Sequence, residues 1–459
     1  MNKAPAPWPG SAFSIPSTSF VSVVAYGTIE SGNAVLAGSG DPAAGILAGY
    51  NPDYSDTANG NVQGNVSIDD YASILAPVGT DGIRGINYGT GTVTIIAEAG
   101  ATITAGRYGI AAFGYDGGDV SVTNYATVTG TTAAINATTT STGTVVINNY
   151  GNLTGDVSSY NATFSNEAAA NWSLNGINAF TGISSLVNDG AIQSNGTSEI
   201  SGLSSITNSG TIEVQSGSLK LDAGISGTGA LIIEVGSTLE LTSAVSSGQI
   251  VTFTSTTGTL KLDNAQSFHG TVTGLGTLDG TQANSDQIDL ANINRNSASF
   301  GEQFNSASDT LTVSDGANTA VIQLTGSYSS SSFKFVDDGN EIGGVSGTSG
   351  TIVYDPPAPA SPHSTANSTI VAIAGSAVND VFVFAPTSSG PAVEHTISDF
   401  VMGLDKIDIR QFSNVSALHL PIETQQGSDT LVTLDSHDSL LLKNVTAANL
   451  HASDFLLHA

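Results

Sequence analysis

Side chains able to do chemistry are sparse in this sequence, and cations set the limit. The chain carries 10 Lys and Arg against 39 Asp and Glu, a formal net charge of −29. One cluster joins cations, carboxylates and aromatics: Arg84 and Arg107, with Asp81, Tyr88, Tyr108, Tyr115 and Asp116 nearby. Aromatic rings stack on sugar rings, while Asp and Arg bond sugar hydroxyls. Arg84, Arg107, Tyr88, Tyr108 and Asp116 are therefore the candidate sugar-binding set. Cleavage of acidic sugars needs more, a carboxylate pair or a carboxylate–Ca²⁺–Arg set. The plainer reading is loop residues and ordinary ion pairs. Asp-rich turns at Asp286/Asp289, Asp337/Asp338 and Asp405/Asp408 have the oxygen donors that Ca²⁺ takes, with affinity expected no tighter than millimolar. Asp405 and Asp408 are the best candidate calcium pair, set against a plain turn-forming role for Asp. The seven His residues (269, 363, 395, 419, 437, 451, 458) show no metal-ligand spacing. No Walker loop, G-x-S-x-G or H-E-x-x-H is present.

The composition narrows the partners. A nucleic-acid binder needs a basic footprint to displace counterions, and an anionic membrane surface would repel this chain. With no Cys, disulfides and thiolate chemistry are excluded. The first twenty residues lack the apolar run of a secretory signal, and Pro5, Pro7 and Pro9 would break one. No stretch approaches the roughly 20 apolar residues of a spanning helix. An exported chain of this kind is expected to carry its address elsewhere.

The elements that position these residues are repeats. DYASIL from Asp70, AGATIT from Ala99, NYATVTG from Asn124, NYGNLTG from Asn149, NDGAIQS from Asn188 and NSGTIEV from Asn208 share one pattern. Each is a turn residue, a small residue, then a β-branched or aliphatic strand. Leu219, Leu239 and Leu260 recur in GSLKL, STLEL and GTLKL, and Ile86, Ile110 and Ile135 form an offset series. Elements recurring at a shared period are expected of a β-helix, whose coils stack about 4.8 Å apart. The Asn residues fit its corners and can bond along the stack as an Asn ladder. The expected fold is all-β: a right-handed parallel β-helix (solenoid) followed by two small β modules. Residues 1–62 form a lead and cap, 63–270 the solenoid, and 271–357 a small β module with a hairpin around Ser314-Asp315-Gly316. Residues 358–374 form a Pro-rich linker and 375–459 a C-terminal β domain.

The C-terminal run carries a resemblance. NDVFVFAP (Asn379–Pro386), ISDFVMGLDKIDI (Ile397–Ile409), DTLVTLDSHDSLLLKNV (Asp429–Val445) and LHASDFLLHA (Leu450–Ala459) follow in order. They resemble the terminal domain of bacterial type I secreted proteins of the RTX-associated kind. There D-x-F-x-F is followed by D-F-x-x-G-x-D-x-I-D, a strand pair ending L-K-x-V, and a final D-F. The preceding module is similar to one found upstream in large repeat-bearing secreted proteins of alphaproteobacteria. The resemblance implies an uncleaved C-terminal export signal, type I secretion machinery as a partner, and a place outside a Gram-negative cell or on its surface. The G-G-x-G-x-D-x-U-x calcium array is missing, so tightly bound calcium is not implied. The leading expectation is a structural or adhesin-like surface protein with no enzymatic activity, meeting polysaccharide or host-surface material. The alternative is a polysaccharide-binding or polysaccharide-cleaving β-helix.

Overall fold

The computed structural model describes residues 15–32, 42–50 and 57–354, apart from positions 141, 255, 279 and 327. Farther on it describes 371–373, 381–384, 393–397, 400–401, 405–412, 422–426, 429–435, 438–451 and 454–457. Two compact units result, divided near Pro356.

The first unit is a parallel β-helix with three strands per coil. One coil runs through Val93–Ala97, Thr102–Gly106 and Tyr108–Gly114, and the next through Val120–Asn124, Thr127–Gly130 and Ala133–Thr139. Strands form because β-branched residues alternate with small polar ones, so one face can be buried while the other stays wet. Equivalent positions stack from coil to coil. Val66, Val93, Val120 and Val145 share one inward column, and Ile74, Ile103, Val128, Leu153 and Trp172 another. All of these are buried. Each contributes about 1.5–3 kcal/mol of hydrophobic stabilisation. Leu219, Leu239 and Leu260 stack in register as expected, and Ile288 continues their column.

The corner amides form a ladder. Asn124 Nδ2 donates to Asn149 Oδ1 at 2.8 Å, Asn149 to Asn166 at 2.8 Å, Asn166 to Asn188 at 2.8 Å and Asn188 to Asn208 at 2.7 Å. Gln249 ends the run, accepting from Asn208 Nδ2 at 2.9 Å and donating to the Asn208 carbonyl. A buried amide is costly when unpaired and cohesive when each partner is satisfied, so the ladder fixes the register of successive coils.

Four expectations need correction. The solenoid begins earlier than residue 63, because Phe20–Ala25 pairs in parallel with Asn65–Asp70 and Ala44–Tyr50 with Asp81–Asn87. It also runs past residue 270: Gln287–Leu290 is a parallel rung on Thr259–Leu262. Ile83, and not Ile86, stacks with Ile110 and Ile135, while Ile86 pairs with Phe113. Asn124 aligns with Ala97 and not Ala99, because Ala99 and Gly100 belong to a turn that lengthens this coil.

Beyond Leu290 the chain changes direction. Thr351–Tyr354 adds antiparallel to Gln287–Leu290, and Lys334–Asp337 adds to Thr351–Tyr354. The hairpin Thr310–Ser314/Thr319–Thr325 forms as its alternation predicts. These antiparallel strands cover the terminal rung, whose free edge would otherwise recruit another chain.

The second unit, taken by itself, is a small roll. Val371–Ile373, Val393–Ile397 and Asp438–Leu442 form parallel rungs on one side. Val381–Val383, Lys406–Asp408 and Phe455–Leu456 form parallel rungs on another. An antiparallel pair, Ile422–Gln426 and Asp429–Thr433, extends the first sheet. The core draws on both sheets, with Phe382, Ile407 and Phe455 packed with Ile397, Leu440 and Leu442. Three of the motifs quoted above supply the second sheet, and the fourth, Asp429–Val445, supplies two strands of the first.

Candidate functional site

The Arg–Asp–Tyr cluster has two parts, joined through Phe113. Asp81 opens the strand Asp81–Asn87, and its carboxylate is fully buried. Arg107, arriving from the next coil, grips it with Nε to Oδ1 at 2.7 Å and Nη2 to Oδ2 at 2.8 Å. Arg84 adds Nη1 to Oδ2 at 3.2 Å. Each guanidinium also lies over a ring, Arg84 over Phe113 at 4.9 Å and Arg107 over Tyr108 at 4.4 Å. A bidentate Arg107 and a single-contact Arg84, each backed by a ring, balance the cost of burying Asp81. Arg84 is only 6% exposed, so it faces packed protein and not an open sugar-binding face.

Tyr88 follows the last residue of this strand, about 23 Å from Asp81 along the chain at 3.3 Å per residue. It is buried and stacks on Tyr115 at 4.3 Å. Asp116 is half-buried next to Tyr115. The structure therefore unites Asp81, Arg84, Arg107 and Tyr108 in one ion-paired group, and Phe113, lying under Arg84 and 5.9 Å from Tyr115, links that group to the Tyr88–Tyr115 stack. Asp81 has both oxygens occupied by guanidiniums, which leaves it poorly placed for acid–base work.

In the second unit Asp405 is buried and its Oδ2 accepts the Val401 amide at 2.7 Å. Asp408 is gripped by Arg410, Nε to Oδ1 at 2.9 Å and Nη2 to Oδ2 at 2.6 Å. Hydrogen bonds from Arg410 hold the Asp408 carboxyl below its usual value. These two acids thus cap a turn and pair a cation. Among the described residues no group of three or more His, Asp or Glu is placed to hold a metal ion. No helix among them is long and apolar enough to cross a membrane.

Sequence reasoning missed several members of these networks. Asn166 lies 17 residues after Asn149, too short a step for the period being followed. Phe113 gave no signal beyond its apolar strand. Asp289, read as a calcium candidate, ends an outward column of alternating charge: Glu199, Lys220, Glu240, Lys261, Asp289. Lys220 pairs with Glu199 at 3.4 Å and Lys261 with Glu240 at 3.0 Å. Burial, reinforced by Asp338, pushes the Asp289 carboxyl up to about 6.

Against known proteins, a search of curated sequences returns no match to the chain. The C-terminal strands give the positive finding. Residues 331–458 match the family described as Peptidase M10 serralysin C terminal, so this part of the chain resembles the terminal domain of type I secreted, RTX-associated proteins.

Proposed function

We propose that the protein is a non-catalytic adhesin-like surface protein, with the solenoid as its displayed part and the terminal roll as its export address. The carrying observation is the match over residues 331–458, which covers the parallel rungs of the second unit. Composition supports the reading. A chain without Cys and with a net charge of −29 stays soluble while unfolded and needs no disulfide to fold outside. Every oxygen of Asp81 is engaged by a guanidinium, and this supports a scaffold over a polysaccharide-cleaving β-helix.

The test is secretion from a Gram-negative host carrying a type I exporter. Full-length chain is expected in the medium or on the cell surface with its C-terminus intact. A chain ending at Pro356 should fold and stay inside. Equal secretion of the shortened chain would refute the terminal address.

A further inference from the structure

The corner that holds the Asn ladder inside carries a second column outside. The residue after each corner position turns to solvent: following Ala25, Asp70 and Ala97 and then Asn124, Asn149 and Asn166, six successive coils place Tyr26, Tyr71, Glu98, Tyr125, Tyr150 and Glu167 there. Backbone hydrogen bonds fix the alignment: Tyr71 N to Ala25 O is 2.9 Å, Glu98 N to Asp70 O 2.8 Å and Tyr125 N to Ala97 O 2.7 Å. Tyr150 N to Asn124 O is 2.7 Å and Glu167 N to Asn149 O 2.9 Å. Five steps of about 4.8 Å make a stripe about 24 Å long. Its order is Tyr, Tyr, Glu, repeated once.

Within each tyrosine pair the rings stack with centroids 4.9 Å apart, at 13° for Tyr26–Tyr71 and 15° for Tyr125–Tyr150. Tyr26 is 71% exposed, and the other three between 43% and 45%. Each pair has a glutamate as its next neighbour. Charge on Glu98 raises the Tyr71 phenol, which bonds to it, and charge on Glu167 raises Tyr150.

Coil stacking accounts for the paired rings but not for the glutamates. Aromatics at all six positions would stack without interruption. Glu98 breaks the stack and sets a carboxylate between two ring pairs on open surface. Aromatic rings that alternate with carboxylates form a recognition pattern, with rings for apolar sugar faces and acids for hydroxyls or ammonium groups. The outward positions before the corner are Asp69, Ile96 and Thr123, with the Asp69 charge acting on Tyr71, and hydroxyls at Ser73, Thr102 and Thr127 flank the stripe on the other side.

Charge selects among glycans. From residue 15 to residue 219 the sequence has no Lys or Arg except Arg84 and Arg107, and both are paired with Asp81. The corner offers nothing to an anionic polymer and two regularly placed carboxylates to a cationic one. We infer that the Tyr26–Glu167 stripe binds an amino-sugar polysaccharide with free amines, laid along the solenoid axis. Its ammonium groups sit on Glu98 and Glu167 and its sugar rings against the exposed sides of the tyrosine pairs. The inference deepens the adhesive reading and rests on it, while owing nothing to the route of export.

The test uses purified full-length protein at pH 6 and calorimetric titration with a β-1,4-linked glucosamine oligomer. Comparison ligands are the fully N-acetylated oligomer, a uronic acid oligomer and oligolysine. The glucosamine oligomer should bind, more weakly as salt rises, and the uronic acid oligomer should not. Paired Glu98→Gln and Glu167→Gln should weaken binding by about tenfold or more while leaving the ring stacks intact. Tyr125→Ala should weaken glucosamine binding by a similar factor, with thermal unfolding run alongside to confirm the fold. Absence of binding, or binding indifferent to the Gln pair, overturns the proposal. So does oligolysine binding equally well with Tyr125→Ala without effect, since that is attraction to net charge alone. Secretion is measured separately, so failure here leaves the export reading standing.

Discussion

Asp70 occupies the ladder position two coils before Asn124, with Ala97 between them. It is fully buried, its Oδ1 accepts the Ala72 amide at 3.1 Å, and its Oδ2 has no hydrogen-bond partner. In Asn124 the equivalent amide instead donates to the Ala126 carbonyl, at 3.2 Å. Asp70 is thus an Asn-shaped residue with an acceptor where the corner provides for a donor. Burial pushes its carboxyl up to about 6 from 3.8. A raised acid holds its proton more tightly folded than unfolded. Stability therefore falls as pH rises from about 4 to about 6, and the full penalty persists above that. A shift of about two units corresponds to an upper value of about 3 kcal/mol. Asp70→Asn removes the penalty and supplies the missing donor. Urea unfolding followed by fluorescence of the buried Trp172 should show the variant about 2–3 kcal/mol more stable at pH 7.5. The gain should shrink toward zero near pH 4. Equal or lower stability at pH 7.5, or a gain unchanged at pH 4, would refute the argument.

Two further outcomes follow from buried charge. Arg107→Ala should cost about 3 kcal/mol or more, because Asp81 keeps only one Arg84 contact and the long Tyr108 amide bond at 3.4 Å within a buried site; unchanged chemical denaturation would show the pair to be idle. In the second unit, burial holds His395 below its usual value against an opposing pull from Asp438. The unfolded chain takes up that proton first, so this unit should lose stability as pH falls below about 6.5, and His395→Leu should flatten the loss. Limited proteolysis of residues 357–459 at pH 7.5 and 5.5 would detect it, and equal cleavage rates would sink the claim.

The architecture was readable where the pattern is chemical and periodic. NYATVTG and NYGNLTG place both an Asn corner and a strand, so the ladder and the Leu219–Leu239–Leu260 column followed from spacing alone. Reading failed where coils change length. The Ala99–Gly100 turn lengthens one coil, and the short step to Asn166 hides a rung, so a fixed period misaligns Ile86 and skips a ladder member. The Arg84–Arg107 cluster was found from composition, but its burial was not. Strand Asp81–Asn87 is buried at every position, and nothing in a single strand's alternation reveals what covers its second face. Asp408 looked like a calcium ligand because the sequence shows a carboxylate in a turn, while its partner Arg410 lies two residues on, at a spacing that a turn alone brings together.

The dipeptides Asn124-Tyr125 and Asn149-Tyr150 show how one corner serves two ends. Asn points inward and bonds the coil above, so its cost when changed falls on folding. Tyr, one residue on, points outward and stacks on the same neighbouring coil, so its exposed part is open to ligand. Because adjacent residues of an extended chain face opposite ways, the outer column can vary without breaking the inner ladder. The corner bears this out in its own sequence. The inner position keeps Asn at 124, 149, 166, 188 and 208, while the outer one reads Tyr, Tyr, Glu, Asp, Ser over the same coils. The aromatic–acid alternation ends where the outer column turns to Asp189 and Ser209, although the ladder continues beneath them. The outer column thus matches neither end of the ladder: it starts at Tyr26, three coils before Asn124, and loses its aromatic residues before Asn188 and Asn208.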